Sequence, residues 1–163
     1  MTRLAVLWVL AALLCANSLT FGQAFPNRPI RMVVPFAPGG SIDTVGRLIA
    51  QRWGANLNQQ IVVDNRGGAG GTIGTLLVAK APADGYTILY GNSGPLSIGP
   101  NLYAKPGYDL FRDLAPVSLV NSAPFLREDA ESIGSSPEEL ARFLRSESAK
   151  WAKVIKTVGV KVE

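Results

Sequence analysis

The sequence predicts an α/β fold, a mostly parallel sheet flanked by helices. Two observations carry that expectation. Three short β-branched runs are each followed by a loop or turn, and after two of them a stretch at helical spacing begins. Both of those loops are rich in glycine. The chain has 163 residues, 47% of them hydrophobic and 17% charged, which suits about one packed domain and excludes a disordered polymer.

The first strand is Ile30 to Val34, a short, β-branched run ended by Pro35, as in a parallel strand buried on both faces. After Gly39 and Gly40, the residues Ile42, Val45, Ile49 and Trp53 recur at helical spacing, with Ser41 placed as cap and Gly54 as stop. Ile61 to Val63 is the second strand. The loop Asn65 to Gly71 follows, and a second helix is expected from about Thr72 to Ala81. Pro82 to Gly85 is a turn, and Tyr86 to Tyr90 a third strand. The pattern loosens from Gly91 to Pro116, with one short helical stretch near Leu96 to Tyr103. Val117 to Val120 then reads as a fourth strand. The last element is a helix. Ser136, Pro137 and Glu139 form a cap, a first-turn proline and a capping-box partner. An apolar stripe of Leu140, Phe143, Leu144, Trp151, Val154, Ile155 and Val158 runs to Gly159, and such a stripe docks on its own domain.

The segment before the first strand reads as an export signal. Arg3 precedes the unbroken apolar run Leu4 to Leu14, and Gly22-Gln23-Ala24 supplies small residues for cleavage after Ala24. The run is short of the ~20 residues that span a bilayer. Cys15 suggests lipidation, but Leu14 before it is too large for the lipidation enzymes. Cleavage removes the single cysteine and, among ionisable side chains, only Arg3. An exported, cysteine-free domain fits the periplasm.

Composition narrows the chemistry further. The chain has no histidine, so a Ser-His-Asp triad, a Cys-His pair and an H-E-x-x-H zinc site are all excluded. One cysteine cannot form an intrachain disulfide. The 16 Lys plus Arg against 12 Asp plus Glu are scattered, so the basic balance does not mark a nucleic-acid surface.

Chemistry therefore concentrates in the two glycine-rich loops, Pro35 to Asp43 and Asn65 to Gly74. Glycine lets a ligand approach the main chain, and the free N–H groups of a helix amino terminus attract an anion. Loops at the carboxyl ends of parallel strands are where open α/β sheets bind ligands. A carboxylate or phosphate binder results. Neither loop matches G-x-G-x-x-G, because Ile73 takes the third glycine's place, and no P-loop is present. Glycines that serve only tight turns and close helix packing are the structural alternative. Asp43 suits either a ligand contact or a first-turn carboxylate on the helix dipole. Asn92 and Ser93 reach the same cleft or simply make a turn.

The motifs resemble a known family. FPNRPIRMVVPFAPGGSID (Phe25 to Asp43), VVDNRGGAGGTIG (Val62 to Gly74), APADGYTILYG (Ala81 to Gly91) and YDLFRDLAPVSLV (Tyr108 to Val120) follow in the order found in Bug-type proteins. These are the extracytoplasmic solute receptors of tripartite tricarboxylate transport systems, the TctC family. GSSPEELARFLRSESAKWAKVIK (Gly134 to Lys156) is similar to the family's final helix. The resemblance implies a two-lobed, type II periplasmic-binding-protein fold. It implies small carboxylate ligands, no catalysis, no cofactor, and membrane subunits that perform the transport. Its first ligand loop corresponds to Phe36, Ala37, Gly39, Gly40, Ser41 and Asp43. Ala69, Gly70, Asn92 and Ser93 fall at other cleft-facing positions.

The motif series breaks after Val120 to Phe125, where family members enter the second lobe, and resumes near Arg127 or Glu128. The expected layout is a signal peptide over 1–24, the first lobe over 25–125, a junction over 126–134 and a docked final helix over 135–158. The second lobe is then missing, which exposes a bound anion to water and impairs binding. A remnant that binds no solute, or a lobe that associates with another protein, is the alternative.

Overall fold

The structure is a computed structural model that describes residues 25–122, 131–132 and 134–159. The expected signal segment 1–24 with Cys15, residues 123–125 at the end of the expected first lobe, residues 126–130 and 133 of the expected junction, and residues 160–163 lie outside the described residues.

Three parallel strands form the main sheet: β1 (Ile30–Val34), β2 (Ile61–Asn65) and β3 (Thr87–Leu89), in the order β2-β1-β3. The register pairs Val34 with Asn65 on one side of β1 and Val33 with Leu89 on the other. As the central strand, β1 has Met32, Val33 and Val34 fully buried, as consecutive apolar residues require, while Arg31 is part-exposed and bonds Asp64 of β2. The chain passes from β1 to β2 in one direction and from β2 over β1 to β3 in the other. With right-handed crossovers this puts the two connecting helices on opposite faces. α1 (Ser41–Leu57) packs on β1 and β2, and α2 (Thr72–Ala79) packs on β1 and β3. In open α/β sheets such a reversal, here at the carboxyl ends of β1 and β3, is where ligands bind.

Several local expectations are corrected. The cap of α1 is Gly40, not Ser41; the Gly40 carbonyl accepts from Thr44 N (2.9 Å), and no side chain caps the first turn. Gly54 does not end the helix, which runs to Leu57 and stops at Asn58 in the left-handed conformation (φ 47°). Gly54 is needed for a close approach instead. A Cβ there would lie 2.9 Å from the Gln59 carbonyl oxygen, where the chain turns back toward β2. α2 ends at Ala79, two residues early, as Ala81 N bonds the Val78 carbonyl in a tightened last turn. β3 is shorter than the Tyr86–Tyr90 run, although the Tyr86 carbonyl and Tyr90 N still bond Arg31 N and the Val33 carbonyl of β1.

Val117 to Val120 is not a strand. The Leu119 N–H donates to Ser135 Oγ (2.8 Å) and Ser118 Oγ donates to the Ser135 carbonyl (2.8 Å), so this stretch bonds to the start of the last helix and not to the sheet. Pairing begins only beyond it, where β4 (Asn121–Ser122) meets β5 (Glu131–Ser132) antiparallel. Between β3 and this pair lie a wide helical turn over Gly94–Ile98, continued by α3 (Gly99–Leu102), and α4 (Leu110–Asp113). Asp109 caps α4 by accepting from Phe111 N and Arg112 N.

α5 (Pro137–Val158) starts at a complete capping box between Ser136 and Glu139 and ends at Gly159 (φ 73°). It lies against the Gly94–Ile98 turn and α3, with Leu144 buried and Asn101 Nδ2 donating to the Ser148 carbonyl (3.3 Å). The stripe is covered unevenly toward its end, where Trp151 and Ile155 are half-buried but Val154 is 41% and Val158 65% exposed. Among the described residues, no helix is long and apolar enough to cross a membrane.

Candidate ligand-binding site

The three loops that leave the carboxyl ends of the strands meet at one end of the sheet. The first, Phe36 to Gly40, carries exposed Ala37, Gly39 and Gly40 into α1, whose first residue Ser41 is also exposed. The Ser41 hydroxyl has no hydrogen-bond partner among the described residues. With no capping side chain, the first-turn N–H groups of α1 stay available, and the helix dipole makes that position favourable for an anion.

Asp43 is held beneath this turn and is 4% exposed. Its carboxylate accepts from Arg47 Nε (3.1 Å), Gly39 N (2.8 Å) and Asn65 Nδ2 (3.0 Å). A second Arg47 nitrogen lies 3.1 Å from Oδ1, so the guanidinium grips both carboxylate oxygens. The hydrogen bonds from Arg47, then Gly39 and Asn65, lower the Asp43 pKa from 3.8 to about 2. Two consequences follow. Asp43 stays charged and fixes the loop, and Arg47 neutralises it, so its charge does not repel an anion at the helix terminus.

Asn65 joins the second loop to the first. Its Nδ2 donates to the Phe36 carbonyl (3.1 Å) as well as to Asp43, and its Oδ1 accepts from Arg47 (3.1 Å). Farther on, Gly67 is close enough to the first loop that a Cβ would stand 3.3 Å from Ala37 N. Ala69 and Gly70 both take left-handed conformations (φ 45° and 60°) ahead of α2, a rare state for alanine. The third loop touches the second where Gly94 lies near the Gly70 carbonyl. Asn92 Oδ1 accepts from Gly94 N (3.0 Å) in a local turn, and exposed Ser93 has no hydrogen-bond partner among the described residues.

Each sequence-derived candidate thus lies in one of three adjoining loops or in the first turn of α1. Phe36 through Asp43 form one unit, Ala69 and Gly70 a second, and Asn92 and Ser93 a third. Sequence reasoning missed the connecting residues. Arg47 had a signal in its i,i+4 spacing from Asp43, whereas Asn65 is recognisable only from its register opposite Val34. Among the described residues, no group of three or more acidic, cysteine or histidine side chains is arranged to hold a metal.

Comparison with known proteins agrees with this architecture. Residues 45–127 match the profile of the tripartite tricarboxylate transporter family receptors, TctC. The chain is 44% identical over 128 residues to Protein BugT of Bordetella pertussis, covering 77% of this chain and 39% of BugT. Among solved structures, the periplasmic binding protein BugD is 45% identical with a TM-score of 0.55, over 60% of this chain and 32% of BugD. MatC from Rhodopseudomonas palustris, solved with bound malate, is 41% identical with a TM-score of 0.57, over 60% of this chain and 33% of MatC. The chain therefore spans well under half the length of these relatives. Its fold is one part of the periplasmic-binding-protein architecture, a parallel sheet flanked by helices. Sequence profile, curated relatives and structural neighbours all agree, and the chain belongs to the TctC family of tripartite tricarboxylate transporter receptors.

Proposed function

We propose that this chain is a first-lobe solute receptor that holds a small carboxylate at the amino terminus of α1 and feeds a tripartite tricarboxylate-type transporter. The observation that supports it most is the uncapped first turn of α1, exposed at Gly39 to Ser41 and organised from beneath by Asp43, Arg47 and Asn65. The ligand carboxylate accepts from main-chain N–H groups of that turn, and the Ser41 hydroxyl is free to donate as well. Ala69, Gly70, Asn92 and Ser93 form the neighbouring walls. No bond of the ligand is made or broken, so the protein acts as a receptor and not as an enzyme, and it needs no cofactor.

In this reading residues 1–24 direct export to the periplasm, 25–125 form the first lobe, 126–134 replace the second lobe, and 135–158 return as the final helix. Without an opposing lobe the anion keeps more water and fewer protein contacts, which weakens binding. Calorimetric titration of the folded chain lacking residues 1–24 with malate, adipate and citrate tests the proposal. Heat of binding supports it, and its absence with all three dismisses it.

A second reading is favoured by one observation. The exposed apolar side chains Phe111, Val117, Val154 and Val158 suit a lobe that associates with another protein without binding solute. Sedimentation velocity separates the two, because this reading requires association while the receptor reading does not.

A further inference from the structure

We propose that Phe25 to Arg28 are a clasp which, once closed, withdraws Phe25 from the enzyme that removes the export segment, so that the bond after Ala24 is cut while the clasp is open and is protected afterwards. The proposal rests on the export reading above. It adds the order of the two events and the residues that set it.

Asn27 and Tyr86 are 59 residues apart in sequence and are joined twice. The Asn27 N–H donates to the Tyr86 hydroxyl (3.0 Å), and that hydroxyl donates to Asn27 Oδ1 (2.8 Å). The Arg28 guanidinium stands 4.2 Å from the centre of the Tyr86 ring and donates to Asp84 (2.8 Å). Asp84 also accepts from Tyr86 N (3.0 Å), so the receiving turn is itself braced. Phe25 completes the set. Its ring meets the Tyr86 ring edge-on, with centroids 5.0 Å apart. Gly85, at φ 80°, leaves room for it, because a Cβ there would stand 3.1 Å from two carbons of the Phe25 ring.

The strands β1 and β3 run parallel, and the Tyr86 carbonyl accepts from Arg31 N where they begin. The clasp therefore closes the amino ends of both strands, at the opposite end of the sheet from the candidate ligand site. Phe25 is the first residue beyond the expected cut. Proteases act on exposed chain, and reach structured chain through local opening. A ring seated against Gly85 and Tyr86 holds Phe25 out of an extended path into such an enzyme. Phe25 is still 58% exposed, so the clasp opens locally without unfolding the sheet. Cleavage of the folded chain then follows the population of the open form. One aromatic pair and one cation–π contact lower that population about tenfold.

Incubating the folded full chain with a bacterial signal peptidase in detergent micelles tests the proposal, with cleavage after Ala24 timed by intact mass. Tyr86→Ala removes the ring and its hydroxyl, Arg28→Ala removes the exposed cation over that ring, and Ser136→Ala weakens a helix cap elsewhere. The expected result is cleavage about tenfold faster in Tyr86→Ala, faster by a smaller factor in Arg28→Ala, and unchanged in Ser136→Ala. Thermal melting shows that each variant is folded, and Arg28→Ala decides alone should Tyr86→Ala not fold. Equal rates in the unsubstituted chain and the clasp variants overturn the proposal. An equal acceleration by Ser136→Ala also overturns it, since cleavage would then track global unfolding. If no protein is cut after Ala24, the export reading fails and the proposal falls with it.

Discussion

Asn65 Nδ2 lies 3.0 Å from Asp43 Oδ1, and this bond ties the end of β2 to the first turn of α1. The same amide group also holds the Phe36 carbonyl, at 3.1 Å. One side chain therefore sets the distance between the two glycine-rich loops. Replacing Asn65 with alanine removes both donors and the acceptor for Arg47. Two part-buried hydrogen bonds at ~1 kcal/mol each, with the exposed one to Arg47 adding little, predict a loss of about 2 kcal/mol, read from the urea midpoint. Ligand affinity should fall as well, because the first loop loses its brace.

Acid should loosen the same site. The Asp43 pKa is lowered in the folded protein to about 2, against an ordinary 3.8. A lowered carboxylate pKa means that the unfolded chain takes up its proton first as pH falls. The stabilisation is complete above the ordinary value and is lost as pH drops from about 4 toward about 2. Asp43→Asn should be less stable than the unsubstituted protein at neutral pH. Thermal midpoints measured across this window should show the gap narrowing as Asp43 protonates. A gap that stays constant down to pH 2 would mean that Asp43 does not carry the effect.

Gly74 marks the closest approach of α2 to β1. A Cβ there would lie 2.6 Å from the Arg66 carbonyl oxygen and 2.9 Å from Pro35 Cα, both main-chain atoms that cannot swing aside. Gly74→Ala should therefore destabilise by about 1–3 kcal/mol or more, as overpacking does, despite alanine's better helix propensity. Chemical denaturation checks it, and a stabilising result would mean that α2 shifts freely on the sheet.

Ser118 and Ser135 hold the stretch after α4 against the start of α5. Ser118 Oγ accepts from Ser135 N (3.1 Å) and donates to the Ser135 carbonyl, while Ser135 Oγ accepts from Leu119 N. Ser118→Ala should cost about 1 kcal/mol. The adjacent cap variant Ser136→Ala should also cost about 1 kcal/mol. The double variant should exceed either single one, which denaturation of all three would show. Amide exchange would separate the two effects. Loss of the clasp should release Ser135 N, and loss of the cap should release Glu139 N.

Features written into short stretches of sequence were legible without the structure. The consecutive apolar residues Met32 to Val34, ended by Pro35, marked the central strand because such a run suits a strand covered on both faces. Ser136, Pro137 and Glu139 marked the start of α5 because a capping box is closed within four residues, and Gly159 marked its end for the same reason. The loop motifs identified the family, since main-chain geometry at Gly39 to Ser41 and at Ala69 to Gly71 is local as well.

What depended on distant partners was not legible. Val117 to Val120 has strand-forming side chains, but a strand also needs a neighbour, and Ser135 engages the Leu119 amide first. Gly54 looked like a stop and proved to be a gap for the returning chain. Sequence by itself determined the sheet's central strand, both ends of α5, and the two glycine-rich loops that follow β1 and β2. Only the tertiary structure decided that Asp43 faces inward to Arg47 and Asn65. The physical reason is range. Propensity, caps and turns are settled between near neighbours, whereas the partner of a side chain depends on which strand lies beside which, and in what register.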